Sequence, residues 1–422
     1  MVGPRLSRER TERTAPLRHC RVLPVVHRLI PVPTGAIPVF SETETMMRRP
    51  IRAAVAVVAT AFLVPLLTAG PAPALSGRST DGARKPADCR PALQVLASLP
   101  GSGGSQVKGL GPTALAVGAS RGLPVYWTGT RVHRVPLPAG FTGGEVAAVN
   151  AKGLMVGSLH AAGRTAAFSF RAGARAVTLL PEGAHAADVN DHGLIVGDAV
   201  KDGSLVGLEW EGTRILRRLA PPAGYSLTSV TALNNAGQIA GSGEAVKDDE
   251  SWSAGVVWPA RRGAAAVPLQ RFWPAGVPYD FWYPRDIDRA GRIVGTHDYT
   301  RLDTRTPTQW LPPYTTESEP GLLGERTSGT FEAISPTTNV SVGTASDSHM
   351  VGPFPPETAP PEQAQIWPGT GPLLALPRLS PEGASQAYAV SDDQRVGGSA
   401  ADARSTTRAV IWTCALRQAY RP

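Results

Sequence analysis

The sequence predicts an all-β fold, a seven-bladed β-propeller of four-stranded blades closed by an N-terminal strand that completes the last blade. Three observations predict it. One hairpin motif recurs seven times at intervals of 39 to 55 residues. An aromatic-ended strand follows each copy, and repeat seven stops one strand short. Repeats of about 40–50 residues are the mark of propellers and solenoids.

The motif is clearest in Asp188-Val-Asn-Asp-His-Gly-Leu-Ile-Val-Gly-Asp198. Asn190 suits the first position of a type I turn, where its side chain accepts from a backbone N–H two residues on, and Gly193 suits the left-handed position that closes it. Val149 to Gly157, Leu233 to Gly241 and Ile287 to Gly295 are good copies. Leu110 to Gly118, Val390 to Gly398 and, with one residue inserted, Ile334 to Gly343 are weaker ones.

The third strand of each unit ends in Tyr126-Trp127, Phe168-Ser-Phe170, Trp210, Trp258, Trp310, Trp367 or Trp412. A fourth strand follows at Arg134–Leu137, Val177–Leu180, Ile215–Leu219, Val267–Leu269 and Leu373–Leu376. These runs are short, apolar and bounded by Gly, Pro, Asn or Asp. A linear solenoid is the other architecture with this period. Ala92 to Pro100 decides for the ring, because it has the character of the fourth strand missing after Trp412 and would leave no open sheet edge.

Residues 1–45 read as a mis-called or disordered extension. Residues 46–74 read as a signal peptide, with a basic start, the apolar run Ala53 to Leu67 and a small-residue cleavage site at Ala72-Pro-Ala74. Met46 or Met47 is then the expected start. Residues 75–88 are polar and read as a disordered spacer, 89–416 as one propeller domain, and 417–422 as a tail. The leader carries ten Arg and four acids, so of 42 basic and 34 acidic residues 32 and 30 remain, near +2. That balance gives no reason for a nucleic-acid partner, or for a membrane partner once the leader is removed. The expectation is a secreted, extracellular monomer. Cys89 and Cys414, one near each end of an exported chain, are expected to form a disulfide that locks the ring.

The Asn/Asp-x-x-Gly-x-Val-Val-Gly hairpin with an Ala-Phe-x-Trp-like strand resembles the bacterial extracellular repeats of the HAF family. Ala166-Ala-Phe168 matches that family's Ala-Phe element best, and the likeness covers about residues 107–412. It implies a secreted repeat protein and no particular reaction.

Few residues carry chemistry. The six histidines from residue 75 onward, 133, 160, 185, 192, 297 and 349, show no metal-ligand spacing, and no cofactor is implied. The Asp residues around the hairpins are filled too inconsistently for calcium loops and read as turn formers. Six of nine Trp occupy the repeat position and read as packing between blades. The departures from the repeat therefore mark the expected site: Trp273, Tyr279, Asp280, Phe281, Trp282, Tyr283 and Arg285 in the link between repeats four and five, with Tyr225 and Phe141 in equivalent links. All would lie on the rim opposite the Asn-x-x-Gly turns, a scaffold's place for binding loops. The expected function is a non-catalytic scaffold binding a glycan or a protein through these aromatics. The alternatives are a hydrophobic plug at that junction, and a polysaccharide hydrolase or lyase using Asp280 with Asp286 or Glu332.

Overall fold

The computed structural model describes residues 89–247, 250–269, 280–348, 350 and 359–422. The stretches expected to be an extension, a signal peptide and a spacer, residues 1–88, lie outside the described residues. The rest is seven antiparallel four-stranded sheets. In six of them the strands follow chain order from an inner to an outer strand, and in the seventh Ala92–Val95 takes the outer place. The inner strands are Ser105–Leu110, Gly143–Val149, His185–Val189, Ser226–Leu233, Asp280–Ile287, Ser328–Ile334 and Ser385–Val390, blades one to seven. Each touches the next, and the seventh touches the first, so they ring a central channel.

Closure is as the sequence predicts. Ala92–Val95 pairs with Thr407–Thr413, setting Leu93 opposite Trp412. Cys89 and Cys414 are disulfide-bonded with Cα atoms 5.7 Å apart. The bond stands where the other blades have a covalent turn. Cys414 then opens a short helix, Ala415–Gln418, and Tyr420 forms a bridge with Ala375 of blade six. The residues expected to be a tail are thus pinned to two blades.

The turns follow the motif. Asn150 Oδ1 accepts from the Lys152 and Leu154 N–H groups at 3.0 and 2.9 Å. Gly153, Gly193, Gly237 and Gly291 hold φ of 71° to 86°. Two weak copies put Asn339 and Gln394 there instead, both at 62°, and the third puts Thr113 in the left-handed region one position earlier, at 54°, which costs a non-glycine residue roughly 1–2 kcal/mol.

The repeat tryptophans seal the blades. Trp127, Trp210, Trp258, Trp310, Trp367 and Trp412 are all buried. Four of them donate Nε1–H to the carbonyl just beyond the preceding blade's outer strand: Trp127 to Ala97, Trp210 to Pro181, Trp258 to Ala220 and Trp412 to Pro377. One side chain thus supplies apolar area and satisfies a strand-end carbonyl.

Two fourth strands differ from expectation. Blade one's is Arg131–Arg134, because Pro136 and Pro138 have no N–H for a ladder. Blade five's is Glu317–Ser318, whose polar text gave no strand signal.

Candidate functional site

Every inner strand carries a β-bulge at the same register, and blade four's has a second one at Thr228. At the shared register the extra residues are Lys108, Ala147, Ala187, Thr231, Arg285, Glu332 and Tyr388. A bulge re-aims a side chain, and all seven residues line a cavity of about 580 Å³ where the channel opens on the Asn-x-x-Gly face. The ring is lopsided. Blades two to four contribute Ala147, Ala187 and Thr231, while blades five, six, seven and one contribute Arg285, Glu332, Tyr388 and Lys108. The hollow therefore has one wall of small side chains and one polar wall.

The polar wall is preorganised. Lys108 Nζ sits 3.8 Å above the centre of the Tyr388 ring. Arg285 Nε lies 3.7 Å from Glu332 Oε2. The Tyr388 hydroxyl donates to Gln386 Oε1. Burial holds the Lys108 ammonium below the usual lysine pKa; Glu145 and Glu332 draw it back up, and Arg285 presses it further down. Burial pushes the Tyr388 phenol up to about 12.

Next along the chain stand Asp188 and Asp286. Each carboxylate accepts its own blade's N–H and one from the next: Val189 and Leu233 for Asp188, Ile287 and Ile334 for Asp286. Their edges reach the channel, but dense protein surrounds them. Burial pushes Asp188 up to about 6. Burial, then repulsion from Asp188, pushes Asp286 up to about 7.

A belt of turns frames the mouth. Asn150 Nδ2 donates to Asn190 O at 2.8 Å, Asn190 Nδ2 to Asn234 O at 3.2 Å, and Asn234 Nδ2 to Asp288 O at 2.8 Å. The Arg289 N–H donates to Pro336 O, and Arg395 donates to Gly111 O between blades seven and one. The turn carboxylates are engaged in the same way: Asp191 accepts from the Ala151 N–H and from Asn235, and Asp392 from the Thr337 N–H. Among the described residues no histidine lines the cavity.

The residues expected to form an aromatic rim separate into several environments. Trp282 is 3% exposed in the packing between blades four and five, and Phe141 is 9% exposed under Arg164. Both are packing residues, not ligand-facing ones, as the plug reading held for Trp282. Tyr225 is half-buried. Phe281 and Tyr283 are half-buried and stacked, with ring centres 6.2 Å apart. Trp273, Tyr279 and the side chain of Asp280 lie outside the described residues. Among the described residues of that rim, Arg285 alone belongs to the channel mouth. Asp280 and Asp286 stand at opposite ends of one strand, about 20 Å apart at the usual rise per residue, too far for a paired-carboxylate mechanism. The expected rim does carry a second hollow of about 500 Å³, but blades one, two, three and seven line it, with Glu145, His160 and His185 as its ionisable side chains.

Following the aromatics passes over Lys108 and Tyr388 and names Glu332 only as a carboxylate partner for Asp280. A signal was present: three residues before each turn, the chain reads Lys, Ala, Ala, Thr, Arg, Glu, Tyr, a column that mixes charged, small and aromatic residues, whereas the column before it is apolar throughout and the one after it holds only Gly, Ala and Asp.

No family model matches the chain. No curated protein matches it either. Among solved structures, it is similar to the β-propeller domain of the Trilobed protease from Pyrococcus furiosus, at 10% identity and TM-score 0.47 over 73% of this chain and 95% of that one. It is similar to the GH74 xyloglucanase from Xanthomonas campestris, at 15% identity and TM-score 0.44 over 69% of this chain and 47% of that one. It is also similar to a putative TolB from Agrobacterium tumefaciens, at 12% identity and TM-score 0.37 over 62% of this chain and 86% of that one. These likenesses concern the fold alone.

Proposed function

We propose that the chain is an exported, non-catalytic binding scaffold of the HAF-repeat type that receives a glycan at the turn-face mouth of its channel. The observation that carries this reading is the bulge ring, four contiguous polar residues facing three small ones across a hollow of about 580 Å³. That volume is in the range of small-ligand sites. Lys108, Arg285 and the Tyr388 hydroxyl can donate, and Glu332 accepts beside them. A polyhydroxylated ring uses both kinds of group, whereas a hydrocarbon would leave them desolvated and unpaired. The disulfide and the leader-like text of residues 46–74 support export.

Glycan arrays and polysaccharide pull-downs on the full chain test the reading, with Arg285→Ala and Lys108→Ala beside it. The expected outcome is retention of a glycan by the wild type and at least about a tenfold loss in either variant, since truncating a partly buried charged contact costs about 2 kcal/mol or more. Retention of a protein and no glycan, or binding unchanged in both variants, would overturn it. Turnover of the bound polysaccharide would favour the hydrolase or lyase reading.

A further inference from the structure

We propose that His297, Glu317 and Glu319 of blade five bind a divalent transition-metal ion of the zinc or manganese class. His297 lies on the second strand, Ile293–Tyr299; Glu317 opens the outer strand, and Glu319 follows it. One imidazole nitrogen and one oxygen of each carboxylate all lie within 4.8 Å of one another.

His297 is fully buried, between the rings of Trp282 and Tyr299 at centroid distances of 4.3 and 3.8 Å. Its Nδ1 lies 3.1 Å from Glu319 Oε1. Its Nε2 is buried with no hydrogen-bond partner among the described residues, a state that costs a polar atom roughly 1–3 kcal/mol. Two carboxylates crowded beside one imidazole repel each other, and a divalent cation relieves that repulsion. Supporting contacts are in place: Trp282 Nε1–H donates to Glu317 Oε2 at 2.9 Å, and the Tyr299 hydroxyl reaches Glu319 Oε1 at 3.5 Å. Such outer contacts orient metal ligands. One nitrogen and two oxygens suit zinc or manganese and leave coordination positions for water. Glu319, with its side chain 29% exposed, gives the ion a way in.

The repeat marks the position as a departure. Two residues past the motif's last glycine, the other blades carry Ser120, Leu159, Ala199, Gly243, Ala345 and Ala400. Blade five alone puts an imidazole there.

The test is calorimetric titration of the chelator-stripped full chain with Zn²⁺ and Mn²⁺, alongside Co²⁺ absorption as a probe of a nitrogen-containing site. The variants are Glu319→Gln and Glu317→Gln, with circular dichroism as the check on folding. We expect one equivalent bound by the wild type, a zinc-dependent rise in melting temperature, and both lost or weakened about a hundredfold or more in Glu319→Gln. Glu319 is partly exposed and the change is isosteric, so this variant decides even where Glu317→Gln does not fold. No saturable equivalent in the wild type, or unchanged affinity in Glu319→Gln, overturns the proposal.

Discussion

The turn residues Asn150, Asn190, Asn234 and Asp288 stand three positions beyond the bulge residues Ala147, Ala187, Thr231 and Arg285 on the same inner strands. The turn position keeps its chemistry because each Asn side chain serves two blades. Its Oδ1 accepts from its own turn, and its Nδ2 donates to the next turn's carbonyl. Exchanging it strands polar groups in a place water cannot reach. The bulge position serves no neighbour in the same way. Its side chain leaves the sheet for the hollow, where alanine, tyrosine and lysine all fit the same backbone. In this molecule the repeating residues hold the ring, and the column that does not repeat gives the channel its character.

Three changes break or sharpen that contrast. The largest effect is expected from Cys89→Ser, which opens the seam that both rings share. The loop it frees spans 325 residues, for which the chain-entropy model gives a loss of up to about 5–6 kcal/mol. Guanidinium unfolding measures it, and a loss under about 1 kcal/mol would mean that the Ala92–Val95 strand closes blade seven without covalent help. Next is Asn190→Ala in the turn belt. It removes the bonds to the His192 and Leu194 N–H groups and to Asn234 O, at an expected cost of about 3 kcal/mol. Glycan retention should survive at a temperature well below the melting point; a binding defect as large as that of Arg285→Ala would erase the distinction between the two rings.

The smallest effect concerns Asp286, which stands between bulge and turn. Its folded pKa of about 7, like the value of about 6 for Asp188, lies above the ordinary carboxylate value. A carboxyl raised in this way holds its proton more tightly when folded. Its stabilising contribution is therefore complete below about pH 4 and lost as pH rises through about 6 to 7. Melting temperatures taken from pH 8 down to 4 should show that gain in the wild type and a smaller one in Asp286→Asn. Equal slopes would mean that the channel carboxyls do not titrate in this window.

Much of the fold is legible in the text because it repeats. Seven hairpin motifs, the aromatic ends of the third strands and the surplus N-terminal strand specify blade count and closure, since a local turn signal seven times over admits few arrangements. Cys89 and Cys414 follow from that closure. The site was read less well. Trp282 and Phe141 looked like exposed departures from the repeat and are buried, because a link between blades can turn its aromatics inward as readily as outward.

By itself the sequence determined the local conformations: the left-handed glycines, the Asn turns, the short apolar strands and their number. Those depend on residues a few positions apart. Only the tertiary structure decided which side chains meet. It brought the bulge residues of seven blades around one hollow, though blade one's Lys108 and blade seven's Tyr388 are 280 residues apart in the chain. It also brought His297 to Glu317 and Glu319 across a blade face. Such meetings depend on strand register and ring closure, which place residues by geometry and not by distance along the chain.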